Sequence, residues 1–187
     1  MKSKVSEKQA LEILKKYTSK PNLIKHAIAV AATMRHFAKL EGEDEEYWAV
    51  VGVLHDIDYE MFPEQHCHKC VELLKKEGFD DKFIHAVQSH GHEICTDVIP
   101  CCYMEEVLAV VDQLTGFLIA CALVRPDKKI ANVELSSAKK KWKTPAFAAG
   151  TERERIERTC ARMGKELEYM MHETLIALQT ISKELGL

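Results

Sequence analysis

Residues 105–124 read EEVLAVVDQLTGFLIACALV, a stretch long and apolar enough to raise the question of a membrane span. Asp112 lies in its interior, followed by Gln113 and Thr115, and an acidic pair opens the stretch. An ionised side chain at that depth is costly in lipid. We therefore predict a helix from about Tyr103 to Val124 that is buried at the centre of a soluble helical bundle.

On both sides of this stretch, apolar residues recur at helical spacing, without sustained alternation of apolar and polar residues. The expected fold class is therefore all-α. Asn22 and Asp44 are the expected caps of the second and third helices. A long C-terminal helix is expected from about Thr151 to Leu185, with an apolar stripe that packs on the body of the protein or on a partner subunit. This stripe makes a homodimer through the C-terminal helix a further expectation.

The composition limits the classes of partner. A formal charge of −3 and a pI near 6.3 give no overall attraction to nucleic acid or to anionic lipid. The first residues, MKSKVSEKQA, are polar and do not resemble a secretory signal, so a cytoplasmic protein is expected. In a reducing compartment the seven cysteines are expected to be free thiols.

Four ionisable residues fall on faces that the apolar pattern predicts to be buried: His26, the adjacent pair His55 and Asp56, and Asp112. A carboxylate buried alone would cost several kcal/mol or would take up a proton. The nearest basic residue after Asp112 in the sequence, Arg125, is more than three helical turns away. A divalent metal shared by the two imidazoles and two carboxylates would remove this penalty.

The order of these residues resembles the HD-domain superfamily of metal-dependent phosphohydrolases. His26 comes first, then the pair His55-Asp56 in AVVGVLHDIDYE, then Asp112 in VLAVVDQLTGF. The resemblance implies a single HD-like domain over residues 1–187, with a helical core at about 22–124 and a C-terminal helical extension at about 127–187. It also implies one divalent metal held by these four residues, with Asp56 serving catalysis as well.

Members with two metals carry additional histidines, and His66 and His90 occupy places that resemble those ligands. The resemblance to this HDIG-like subgroup implies a candidate second metal site at His66 and His90. His68 and His92 are weaker candidates for additional ligands of that site. The alternative is that these histidines are solvated loop residues.

The sequence departs from that subgroup directly after the His-Asp pair. The subgroup often continues with Ile-Gly-Lys, whereas this chain has Ile57-Asp58-Tyr59. We therefore do not transfer the cyclic-dinucleotide activity of that subgroup. Asp58 is expected either to act in catalysis, as a general base or by orienting a metal-bound water, or to cap a turn.

The resemblance also implies a small phosphorylated substrate, with a nucleotide as the leading candidate. Mixed nitrogen and oxygen ligands suit manganese, iron, cobalt, nickel or zinc. Such an ion lowers the pKa of bound water and polarises a phosphoryl oxygen. Arg125 and Lys128 are the expected phosphate-binding residues, because a basic stretch follows the helix of Asp112. The alternative for this stretch is a solvated helix face.

Two other functions stay open at this point. The first is a non-catalytic module that keeps the HD fold as a ligand sensor or an assembly unit. The second is a protein with a structural zinc site built from the cysteine-rich segments of the chain. The residues of that site would come from Cys67, Cys70, Cys95, Cys101 and Cys102, with His66 and His68.

Overall fold

The computed structural model describes residues 4–187 and is all-α, as predicted; within this range there are ten α-helices and no named strand. The helices are α1 Glu7–Leu14, α2 Pro21–Glu41, α3 Glu45–Leu54, α4 Cys70–Lys76, α5 Asp81–Ser89, α6 Tyr103–Leu123, α7 Leu135–Trp142, α8 Arg153–Arg162, α9 Leu167–Thr180 and α10 Ser182–Leu185. Two 3₁₀ turns, Pro63–Gln65 and Ile130–Asn132, lie between them.

Helix α6 forms the centre of the bundle and contacts α2, α5, α7, α8 and α9. By length and composition it could cross a membrane, but most of its side chains are buried within the protein. It begins at Tyr103 and ends at Leu123, just before Arg125-Pro126. The prediction of a buried core helix over this stretch is therefore confirmed.

Side-chain caps fix the start of several helices. Asp44 accepts a hydrogen bond from the Tyr47 backbone N–H and caps α3, as predicted. The predicted cap of α2 is wrong, because the helix already begins at Pro21 and Asn22 lies within its first turn. Proline suits the first helical position, since the N–H that it lacks would have no partner within the helix.

Helices α2 and α3 are in close contact at Gly52. A Cβ atom at this position would lie 2.8 Å from the Ala31 Cα and 3.1 Å from the Val30 carbonyl carbon, both in the backbone of α2. Only a residue without a side chain allows this contact. The close approach brings the residues that follow α3 next to the buried face of α2.

The expectation of one continuous C-terminal helix is wrong. Helix α8 ends at Arg162, Gly164 adopts the left-handed conformation with φ of 66°, and α9 begins at Leu167. Glycine takes this conformation without a Cβ clash, so it ends the helix. The buried members of the predicted stripe lie within the bundle: Ile156, Cys160, Met170, Thr174 and Leu178. The stripe thus packs on the body, and the homodimer stays a prediction.

Candidate metal centre

The predicted ligands lie on three different helical segments and meet at one point. His26 comes from α2, His55 and Asp56 directly follow α3, and Asp112 comes from α6. One ligand atom from each of the four lies within 4.8 Å of the others. The shortest contact joins His26 Nε2 and Asp112 Oδ1, at 2.9 Å. The fold therefore brings together all four residues of the first predicted metal site.

The orientation of His55 is fixed by the backbone. Its Nδ1 lies 2.8 Å from the Gly52 carbonyl oxygen, which can only accept, so Nδ1 carries the proton and donates. The opposite nitrogen, Nε2, is buried and has no hydrogen-bond partner among residues 4–187. It lies 3.4 Å from Asp56 Oδ2 and 3.4 Å from Asp112 Oδ1. An unpaired imidazole nitrogen facing two carboxylates fits a metal ligand.

The electrostatics of the cluster favour a bound cation. Burial raises the pKa of Asp112, but the hydrogen bond with His26 and the positive charge of His26 and His55 outweigh it and hold that pKa well below its usual range. Burial also lowers the pKa of His55, but the Asp56 and Asp112 carboxylates raise it well above the ordinary value. The negative charge of Asp56 and Asp112 that raises the pKa of His55 also favours a divalent cation at this point.

Asp56 lies between two sets of histidines. Its Oδ2 faces His55 and His26, while Oδ1 lies 3.5 Å from His66 Nε2 and 3.5 Å from His90 Nε2. His90 is oriented like His55, because its Nδ1 lies 2.5 Å from the Val87 carbonyl oxygen. Each carboxylate oxygen of Asp56 thus has its own group of imidazole nitrogens. His66 and His90, predicted as a second site, meet on the far side of Asp56.

Asp58 does not occupy the position expected of a general base. Its side chain is 0% exposed, and both oxygens are occupied: Oδ1 accepts from His66 Nδ1 at 2.8 Å, and Oδ2 accepts from the Cys70 backbone N–H at 2.7 Å. The catalytic role predicted for Asp58 therefore does not fit. Asp58 instead fixes His66 with Nε2 towards Asp56, and it bonds the first residue of α4.

A cavity of 370 Å³ opens over the cluster. Apart from the histidines and aspartates, its walls are formed by Leu23, Tyr59, Gly91, Ile94, Cys95 and Gln113. Neither Lys nor Arg lines it among the described residues, although phosphate carries several negative charges. His68 and His92, the weaker candidates for ligands of the second site, do not line the cavity.

The predicted phosphate-binding residues lie elsewhere. Arg125 follows the C-terminal end of α6, about 20 Å along the helix from Asp112. It pairs with Asp127, with Nε 2.9 Å from Oδ1. Lys128 is exposed, next to this ion pair in sequence. The assignment of Arg125 and Lys128 to phosphate binding is therefore wrong. Both residues follow the end of α6, whereas Asp112 lies near the middle of that helix, so they are far from the metal centre.

Arg155 supports the cavity and was not predicted. This residue of α8 is 5% exposed and donates to the His90 carbonyl oxygen at 2.6 Å and to the His92 carbonyl oxygen at 2.8 Å. It thus fixes the backbone on both sides of Gly91, which lines the cavity. The sequence around Arg155 is rich in charged residues and is typical of a solvated helix face. The neighbouring apolar residue Ile156 is the one feature of the sequence that indicates burial near Arg155.

We expect Arg155→Met to lower the free energy of unfolding by about 1–3 kcal/mol, because two buried carbonyl groups lose a charged donor. Urea denaturation measures this change. Arg158→Met is the matched control, since Arg158 lies on the same helix and pairs with Glu93 at the surface. Equal stability losses in the two variants would contradict the role assigned to Arg155.

The cysteines do not assemble into the single zinc site considered above. Cys67 lies with His66 and His90, whereas Cys101 lies in a separate group with His85 and Glu105. Cys70 belongs to neither of these groups of candidate ligands. Cys95 interacts with Cys67 through its side chain, but Cys101 belongs to the other group. The cysteine-rich segments therefore do not form the one site that this alternative requires.

Comparison with known proteins gives one family match. The family model described as HD domain matches residues 23–116. The matched segment contains His26, the His55-Asp56 pair and Asp112. No solved structure gives a significant match to the chain. The core of about 22–124 and the C-terminal extension expected from the sequence stay predictions.

Proposed function

This chain belongs to the HD-domain superfamily of metal-dependent phosphohydrolases, and from this premise we propose that it hydrolyses a phosphate ester of a small metabolite. The proposal depends above all on the unpaired buried Nε2 of His55, which faces the carboxylates of Asp56 and Asp112. His26 completes a set of two nitrogen and two oxygen ligands. Such a set suits manganese, iron, cobalt, nickel or zinc.

A divalent ion in this set would supply an activated water and a Lewis acid for the phosphoryl oxygen. The protein contributes the remaining parts of the site. Asp56 borders the cavity, and when only the first ion is bound its Oδ1, which does not face His26 or His55, can orient the attacking water. Leu23, Tyr59 and Ile94 supply an apolar wall for the organic part of the ester. Gln113 adds an amide that can bond to a polar substituent.

The lining of the cavity supports a substrate with few phosphate groups. Because no Lys or Arg side chain lines it in the described structure, the charge of the phosphate would be met by the bound metal and the histidines. A nucleotide with one phosphate fits this requirement better than a triphosphate, and Tyr59 offers a ring against which a base can stack. We propose such a nucleotide, or a similar phosphomonoester, as the substrate.

We also propose a second ion between Asp56, His66 and His90. With both sites of this centre filled, His66→Ala is expected to lower the metal bound there from about two ions to about one per chain, because the first ligand set stays intact. Inductively coupled plasma mass spectrometry measures the stoichiometry. His172→Ala, at an exposed position, is the control and should keep both ions. A single ion in both the parent protein and His66→Ala would contradict the second site.

The proposed activity is tested with the full chain loaded with manganese, cobalt or nickel. Nucleoside monophosphates, nucleoside triphosphates, cyclic nucleotides and sugar phosphates form the panel, and released phosphate is measured. We expect turnover of at least one monophosphate, and its loss after chelation. A chain that retains its metal but releases no phosphate from any monoester would overturn the proposal and favour a sensor or assembly role.

A further inference from the structure

Three potential metal ligands, with Cys102 beside them, converge away from the cavity, where α5 meets the start of α6. His85 lies on α5, Cys101 and Cys102 directly precede α6, and Glu105 lies in its first turn. None of the four lines the cavity over Asp56. The cluster is therefore separate from the centre described above.

The distances within the cluster match those around one metal ion. His85 Nδ1 lies 3.0 Å from Glu105 Oε1 and 3.9 Å from Cys101 Sγ. One ligand atom from each of these three residues lies within 4.8 Å of the others. Cys102 interacts with Cys101 through its side chain. Ligand atoms around tetrahedral zinc, with bonds of about 2.0–2.3 Å, are spaced by about 3.3–3.8 Å.

The chemistry of the cluster also points to a cation. Glu105 is 3% exposed, and its Oε2 accepts a hydrogen bond from the Cys101 backbone N–H at 2.6 Å, while Oε1 faces His85. Burial and the nearby Glu105 carboxylate raise the pKa of the Cys101 thiol. The buried carboxylate of Glu105 and the two thiols thus lie around one imidazole, that of His85. A divalent ion would stabilise both thiolates and the carboxylate together.

An ion can reach the cluster from solvent. Cys101 and Cys102 are exposed, and a cavity of 410 Å³ borders both cysteines, His85 and Glu105. The thiols lie at the surface, while the carboxylate forms the buried base of the site. The side chains that would hold the ion therefore all border space that is open to solvent.

We propose that His85, Cys101, Cys102 and Glu105 bind one zinc ion in a structural site. Two sulfurs, one nitrogen and one oxygen make a four-coordinate donor set that suits zinc. The ion would hold the C-terminal end of the segment 90–102 in place. The N-terminal end of this segment contains His90 and Gly91, which line the cavity. The proposal does not depend on the hydrolase activity.

Cobalt substitution tests the site in the full, reduced chain. Thiolate ligation of cobalt gives a charge-transfer band in the near ultraviolet, which the ligands His26, His55, Asp56 and Asp112 cannot give because they contain no sulfur. We expect this band in the parent protein and its loss in Cys101→Ser. Cys95→Ser is the matched control and should keep the band. Both positions lie outside the regular helices.

Zinc content gives an independent measurement. In an Asp112→Asn background, which weakens the first centre, we expect zinc to remain and then to fall by about one ion per chain when Cys101→Ser or Glu105→Gln is added. Circular dichroism shows whether each variant is folded. The absence of a thiolate band in the parent protein would overturn the proposal. So would a band that persists in Cys101→Ser and disappears in Cys67→Ser, since this assigns the sulfur to the group of His66, Cys67 and His90.

Discussion

Asp112→Asn is expected to weaken metal binding and to lower the proposed phosphohydrolase activity, each by at least about 100-fold. Loss of an outer partner of a metal ligand typically costs 10–100-fold, so loss of a ligand should cost no less. The amide keeps the size of the side chain but removes the charge that His26 and His55 face at 2.9 and 3.4 Å. The two imidazoles and Asp56 would remain, which is one carboxylate too few to balance a divalent ion.

Calorimetric titration with manganese or cobalt measures this change, and thermal unfolding supports it. An ion that binds the folded state at about 100 times its Kd stabilises the protein by about 2.7 kcal/mol. The parent protein should gain this stability and Asp112→Asn should not. Asp81→Asn is the control, because that side chain is 93% exposed and distant from the centre. Metal affinity unchanged in Asp112→Asn would refute the assignment of the ligand.

Gly52→Ala is expected to lower the free energy of unfolding by about 1–3 kcal/mol, the usual cost of overpacking. The added Cβ would lie 2.8 Å from the Ala31 Cα and 3.0 Å from the Ala31 nitrogen. Backbone atoms inside a helix cannot rotate away, so α2 and α3 would have to separate. His26 lies on α2 and His55 directly follows α3. Separation of the two helices would move these ligands apart, so metal affinity should fall as well.

Gly116→Ala is a matched control for this substitution. Gly116 lies on the exposed side of α6, and no neighbouring atom lies within 4 Å of an added Cβ. Alanine should therefore stabilise α6 by up to about 1 kcal/mol through its helix propensity. Chemical denaturation of both variants gives the comparison. A stability of Gly52→Ala equal to that of the parent protein would show that the helices are not in tight contact.

The core of the fold and the first ligand set could be predicted from local sequence. Apolar periodicity gave the position of α6, and a carboxylate within that helix required a positive partner. Side-chain caps such as Asp44 act within one turn, so they are also visible in the sequence. The prediction of an all-α HD-type fold is confirmed, whereas the metal-binding roles of His26, His55, Asp56 and Asp112 stay predictions.

Features that depend on long-range packing could not be predicted in this way. Asp58 follows the His-Asp pair in sequence, but its side chain turns away from the cavity to His66 and to the start of α4. Arg155 acts through carbonyl groups more than sixty residues away. Gly164 ends a helix although the apolar stripe continues beyond it. In each case the outcome depends on contacts with residues that only folding brings together.

The reach of Arg155 into the cavity wall has a consequence for divergence within the family. Arg155 belongs to the C-terminal region, outside residues 23–116 that match the family model. Substitutions in this region can therefore reshape the mouth of the pocket while every metal ligand is retained. Recombination between relatives after α6 would exchange the support of the pocket wall, here Arg155, while the residues that line the pocket stay the same.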